Sequence, residues 1–147
     1  MDCAGRLLTS VVVADPGEAA AIIDSERPVE QWKGFEARGL DQDKLAMLHA
    51  LLTGRLFDEA LGECGPLYAG SEEGPWLVQL PGESVARLAQ LEDEALDRIG
   101  EELAATETFE EAGWPVEAVQ DVVVGLAELA GVAAAQDGAI FAWMVPE

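Results

Sequence analysis

The sequence predicts an α+β fold, in which a small sheet of about three short strands is packed by four to six helices. Short apolar runs rich in β-branched and aromatic residues occur at the N-terminus, near the centre and at the C-terminus, as expected of strands. Between these runs, apolar residues recur at helical spacing behind cap residues. A chain of 147 residues can bury one hydrophobic core. We therefore expect a single α+β domain over residues 1–147, with the helices packed on one sheet.

The predicted strands cover residues 7–14 (LLTSVVVA), 76–80 (WLVQL) and 139–145 (AIFAWMV). The first is rich in β-branched residues, the second alternates between its two faces, and the last is apolar throughout. Because both terminal strands have the composition of buried strands, we expect them to lie side by side and to pair the two ends of the domain.

The helix predicted over residues 39–54 is the one around which we expect the other elements to be arranged. Asp41 can cap its N-terminus, Asp43 places a second carboxylate in the first turn, and Gly54 can adopt the left-handed conformation that ends a helix. Four leucines share one face at helical spacing: Leu45, Leu48, Leu51 and Leu52.

The other helices are marked mainly by prolines and cap residues. Asp15, followed by Pro16 and Glu18, predicts a short helix that ends before Pro28. Further helices are predicted over residues 56–61, from residue 81 onward, over 92–106 and over 115–136, the last of them mostly buried. Residues 62–75 are dense in turn residues and are predicted to form a loop. The stretches 28–38 and 107–114 show no clear period and are predicted to be connectors.

Three short stretches carry a resemblance to a known family. They are Leu40, Asp41 and the HALLTG end of the central helix, then GPWLVQLPGESVARLAQL, and then GAIFAWMV behind the long C-terminal helix. In these features the chain resembles the YfbM-like family of small bacterial domains of unknown function, although its central helix lacks the family's tryptophan. The resemblance implies an α+β architecture. It implies no activity, so no functional residue is carried over.

The charge of the chain is its one compositional outlier. There are 29 acidic residues and 8 basic ones, for a net charge of −21. Residues 1–80 carry 14 acids and 6 bases, a net −8, and residues 81–147 carry 15 acids and 2 bases, a net −13. Such a field repels nucleic acid phosphates and anionic membrane surfaces and attracts basic partners. The alternative, a general acidity of the proteome in a salt-adapted or GC-rich organism, stays open.

The residue types needed for catalysis or metal binding are sparse. His49 is the only histidine and lies among apolar residues, so we interpret it as a packed side chain rather than a catalytic base. Cys3 and Cys64 have no metal-binding or redox spacing and are expected to be free thiols. We therefore predict no catalytic residue, no metal site and no cofactor. The N-terminus does not resemble a signal peptide and no apolar run approaches about 18 residues, so a cytoplasmic location without a membrane span is expected.

The remaining signal is a tract of acidic residues that is broken by a single base, Arg98. A solvated helix face is the ordinary interpretation of such a tract. We favour a binding surface, because closely spaced like charges oppose folding. Our leading hypothesis is a non-enzymatic acidic protein-binding module, most simply a bacterial immunity or inhibitor protein that neutralises a basic partner such as a toxin or nuclease. The oligomeric state stays open. The predicted partner-binding residues are Glu92, Asp93, Glu94, Asp97, Glu101, Glu102, Glu107, Glu110 and Glu111.

Two alternatives stay open beside this hypothesis. In the first, the protein imitates nucleic acid and inhibits a DNA-binding defence protein. In the second, it is an enzyme or a small-molecule binder that uses the loop over residues 62–75. Cys64, Tyr68 and Trp76 would then line a pocket, with His49 as its acid–base group.

Overall fold

The first and last strands of the chain form the centre of one antiparallel sheet. The computed structural model, which describes residues 7–64, 66–69 and 75–146, pairs β1 (Leu7–Ala14) with β5 (Ala139–Pro146). The register runs over eight residue pairs, from Leu7 opposite Pro146 to Ala14 opposite Ala139. The expectation that the two ends of the domain pair with each other is therefore confirmed.

The sheet contains more strands than the sequence predicted. Four strands lie in the order β2-β1-β5-β4, with β2 at Gly34–Arg38 and β4 at Trp76–Gln79, and β3 (Pro66–Ala69) continues the sheet beyond β4. The predicted count of about three strands is thus too low. β2 and β3 are short strands on the flanks of the sheet, and β3 lies inside the stretch that was predicted to be a loop.

The α+β class of the fold is confirmed. The part of the chain that the structure describes contains seven α-helices, one more than the upper end of the expected range. The additional helix is a six-residue segment within the stretch predicted to be a connector. The helices are α1 (Ala19–Ile23), α2 (Gln42–Thr53), α3 (Phe57–Glu63), α4 (Gly82–Gln90), α5 (Asp93–Ala104), α6 (Glu107–Ala112) and α7 (Val116–Gln136).

The boundaries of α2 follow from its cap residues, as predicted. The Asp41 side chain accepts a hydrogen bond from the Lys44 backbone N–H, with 3.0 Å between Oδ1 and N. At the other end, Gly54 has a φ of 76°, a left-handed conformation in which its N–H donates to the Ala50 carbonyl. A capping box formed by Asp15 and Glu18 likewise opens the short helical segment after β1.

α7, rather than α2, is the helix on which the other elements converge. It contacts β1, β2 and β5 on one side and packs against α4 and α5. Its length and composition would also suit a membrane span. Its buried residues, among them Val119, Val123 and Leu126, lie at helical spacing along one side, whereas Val116 is 38% exposed and Val124 is 37% exposed. The expectation of a mostly buried helix was therefore too strong.

The two faces of the sheet are covered to different extents. Val11 and Val13 of β1 pack into the large core beneath α7, α4 and α2. Val12 and Ala14 face the other way, into a smaller cluster that Ile22 of α1 completes. This alternation is the period of two that a strand buried on both sides requires. α1 has only five residues, so the second face has much less helical cover than the first.

Candidate functional site

The predicted partner-binding residues lie on two consecutive helices, α5 and α6, and on the residue before α5. All nine side chains are exposed. We call this surface the acidic face and define it by the residues Glu92, Asp93, Glu94, Asp97, Glu101, Glu102, Glu107, Glu110 and Glu111.

The amphipathic pattern of α5 explains why its carboxylates reach solvent. Leu96, Gly100 and Leu103 are buried on one side, so the residues on the opposite side must face outward. Asp93 and Glu94 lie in the first turn, where the positive end of the helix dipole favours negative charge.

The last turn of α5 also carries carboxylates, but there the helix dipole has its negative end. Glu101 and Glu102 lie there without any basic residue in the same turn. The negative end of a helix dipole disfavours carboxylates at this position. Glu101 and Glu102 therefore do not stabilise the helix through its dipole.

The acidic face has no internal charge compensation. Arg98 stands four residues after Glu94 and four before Glu102, a spacing that permits ion pairs on a helix. Within residues 7–64 and 75–145, however, no ion pair shorter than 4.0 Å involves Arg98 or any carboxylate of the acidic face. Ion pairs elsewhere in the described residues involve Arg27, Lys44 and Arg55.

A close contact between helices holds α5 on α7. A Cβ built on Gly100 would lie only 2.5 Å from Gln120 Cγ and 3.0 Å from Gln120 Cα, so glycine is needed for this approach. The Gln120 side chain also donates a hydrogen bond to the Asp97 carbonyl oxygen, with 3.2 Å between Nε2 and O. Two other glycines of α7 differ from this one. A Cβ added at Gly125 would lie 3.0 Å from Phe35 Cε1, a contact with a side chain, and one added at Gly131 would meet nothing within 4 Å.

α6 is held by a buried lysine and two aromatic rings. Lys44 is 4% exposed, and its ammonium lies 3.2 Å from Asp41 Oδ2. The same ammonium lies 6.0 Å from the ring centroid of Phe109 and 5.8 Å from that of Trp114. The two rings pack edge to face with centroids 5.5 Å apart. The carboxylates of α6 are thus presented from a helix tied to α2.

His49 lies in a polar network that the sequence did not reveal. It is fully buried, with Nδ1 2.5 Å from Ser84 Oγ and Nε2 3.1 Å from Glu63 Oε1. Arg55 then bridges outward, with Nε 2.9 Å from Glu63 Oε1 and Nη2 2.9 Å from Glu83 Oε1. The hydrogen bond from Arg55 lowers the pKa of Glu83 and, in return, raises the pKa of Arg55. The network joins α2, α3 and the start of α4.

The order serine, histidine, glutamate in this network is that of a nucleophile, a base and an orienting acid. Ser84 and His49 are both 0% exposed, so the Ser84 hydroxyl is closed to solvent by the described residues. The partners of His49 stand 14 and 35 residues away in the chain, which is why they carried no sequence signal. We interpret the network as a structural link between three helices.

The alternative site around residues 62–75 loses one of its reactive groups. Cys64 is fully buried at the end of α3. Burial, reinforced by the negative charge of Glu63, raises the pKa of the Cys64 thiol to about 11. The thiol is therefore protonated at neutral pH and is a poor nucleophile. Trp76 is half-buried beside the core, and the Tyr68 side chain lies outside the described residues.

Comparison of the chain with known protein families, curated proteins and solved structures finds no match. The resemblance to the YfbM-like family stays a prediction, and the functional argument rests on the geometry of the chain itself.

Proposed function

We propose that this protein is a non-enzymatic binding module whose acidic face engages a basic protein partner. The observation that carries the proposal is the exposure of nine carboxylates on α5, α6 and the preceding residue, without an ion pair among the described residues. Uncompensated like charges oppose folding. The same charges would attract a basic partner and increase its association rate. In a bacterial setting, the simplest role is an immunity or inhibitor protein that masks a toxin or nuclease with a positive cleft.

The rigid mounting of the acidic face supports this proposal. The contact of Gly100 with Gln120 fixes α5, and the Lys44–Phe109–Trp114 cluster fixes α6. A preformed surface loses little conformational entropy on binding. The favourable electrostatic free energy of association is therefore not offset by a cost of ordering the helices.

The proposal is tested by capturing partners with two variants of equal charge. The first, Asp97→Asn/Glu101→Gln/Glu102→Gln, alters the acidic face. The control, Asp24→Asn/Asp58→Asn/Glu59→Gln, alters exposed acids elsewhere. Each triple changes the net charge from −21 to −18. We expect the acidic-face variant to lose partners that the wild type and the control both retain at low salt. Equal capture of the same partners by both triples would exclude the acidic face as the binding surface.

A further inference from the structure

A pocket lies on the thinly covered face of the sheet, away from α7. Its floor is apolar and consists of Leu8 of β1 with Trp143 and Val145 of β5. Glu36 and Arg38 of β2 line one side, and Glu26 and Arg27 from the segment after α1 line the other. The cavity volume is about 340 Å³. This lies within the range of about 300 to 1,000 Å³ that is common for small-ligand sites.

Two buried polar groups beside this floor have no partner. Ser10 of β1 stands directly opposite Trp143 of β5 and opposite Glu36 of β2, so the three side chains share one face of neighbouring strands. Ser10 Oγ and Trp143 Nε1 are both buried, and neither has a hydrogen-bond partner among the described residues. Buried polar groups without partners are rare in folded proteins and call for an explanation. Of the two residues Trp143 lines the pocket, and a ligand with a hydrogen-bond acceptor would supply a partner for its N–H.

The charges at the pocket are balanced, in contrast with the rest of the molecule. The chain as a whole has a net charge of −21, yet the pocket is lined by two arginines and two glutamates. Arg27 forms ion pairs with Glu36 at 3.3 Å and with Glu30 at 3.6 Å. Arg27 is 58% exposed at its side chain, so it can turn towards a ligand without any repacking of the core.

These features match one class of ligand. Guanidinium groups bind carboxylates by charge-assisted hydrogen bonds, and carboxylates bind ammonium groups in the same way. An apolar side chain would cover Leu8, Val145 and the Trp143 ring. The Trp143 N–H would give a carboxylate a further donor.

We propose that this pocket binds a small zwitterion, namely a free α-amino acid with an apolar side chain. Arg27 holds its carboxylate, Glu26 holds its ammonium group, and Glu36 orients Arg27. The site lies on the sheet rather than on α5 and α6, so it is independent of the proposed partner-binding function.

The test is calorimetric titration with L-leucine and three analogues. The analogues are 4-methylpentanoate, which lacks the ammonium group, 3-methylbutylamine, which lacks the carboxylate, and glycine, which lacks the apolar side chain. We expect saturable binding of leucine and at least about tenfold weaker binding of each analogue. No saturable binding of leucine up to about 10 mM would overturn the proposal. Binding of either single-charge analogue as tightly as leucine would also overturn it.

Exposed variants locate the binding without threatening the fold. Arg27→Gln and Glu26→Gln remove charges at the pocket, whereas Arg87→Gln removes an exposed charge on α4 and serves as the control. We expect each pocket variant to weaken leucine binding at least about tenfold and the control to leave it unchanged. Wild-type affinity in both pocket variants would contradict the assignment.

Discussion

At the scale of single residues, the buried contacts of His49 decide what its imidazole can do. Ser84 Oγ approaches one ring nitrogen and Glu63 the other, so both nitrogens are satisfied within the protein. A triad histidine has the same two kinds of partner, but its serine is open to the substrate. Ser84 is 0% exposed, so we interpret it as a stabilising residue.

Substitution of Ser84 by alanine should destabilise the fold. The change leaves His49 Nδ1 buried without a partner, which costs about 1 to 3 kcal/mol of the free energy of unfolding. Urea denaturation measures this loss. The matched control is Ser25→Ala, because Ser25 Oγ accepts hydrogen bonds only at the surface, from the Arg27 backbone N–H at 3.2 Å and from Gln31 Nε2 at 3.4 Å. Equal stability of the two variants would show that the His49 network does not support the fold.

The Cys64 thiol should make stability fall at alkaline pH. Its pKa is raised from 9.0 to about 11 in the folded protein. The folded state therefore retains the proton over a range in which the unfolded chain loses it, and ionisation favours unfolding. The free energy of unfolding of a Cys3→Ser variant should decrease as the pH rises above 9.0. In Cys3→Ser/Cys64→Ser this component of the decrease should vanish, and identical pH profiles would contradict the assignment.

At the scale of the elements, the contact between α5 and α7 is the one that positions the acidic face. Gly100→Ala would place a methyl group 2.5 Å from Gln120 Cγ and 3.0 Å from its Cα. The helices must then move apart, at a cost of about 1 to 3 kcal/mol.

Gly131→Ala is the matched control, since Gly131 lies within α7 and a Cβ added there would meet nothing within 4 Å beyond its own helix. Alanine there should stabilise the helix by about 0.5 to 1 kcal/mol. Thermal or urea unfolding of the two variants should thus show changes of opposite sign. Stabilisation by both would mean that α5 does not depend on close packing at Gly100.

The sequence predicted those elements whose signals are local. The capping groups of α2 and the β-branched run of β1 are of this kind, and the structure confirms both elements. β2 reads GFEAR and alternates between exposed and half-buried residues, so it lacks the apolar content of a central strand. α6 has only six residues, too few for a periodic pattern.

The surroundings of the candidate site were harder to foresee than its residues. Exposure of the acidic residues of α5 followed from helical periodicity, whereas those of α6 lie in a stretch that was predicted to be a connector. The approach of Gly100 to Gln120 and the network of His49 depend on residues far apart in the chain, which no local pattern encodes.

At the scale of the whole molecule, the net charge of −21 should make stability depend on salt. Repulsion among exposed carboxylates opposes the compact state. Sodium chloride at about 0.15 M shortens the screening length to about 8 Å, so the free energy of unfolding should rise with salt while affinity for a basic partner falls.

Hydrophobic burial also depends on salt. A variant in which Glu94, Asp97, Glu101 and Glu102 become Gln or Asn separates the two effects, because it should respond less to salt than the wild type. An identical salt response would contradict a role of the acidic face in this repulsion.

The central claim is that the carboxylates of the acidic face serve a partner rather than the fold. It is tested most directly by the free energy of unfolding of the variant Asp97→Asn/Glu101→Gln/Glu102→Gln, measured by urea denaturation at low salt. Our account predicts a variant at least as stable as the wild type, because these three carboxylates lie outside the first turn of α5, have no ion-pair partner among the described residues and repel one another. A variant less stable than the wild type would show that these carboxylates stabilise the native structure, and it would contradict the functional interpretation of the acidic face.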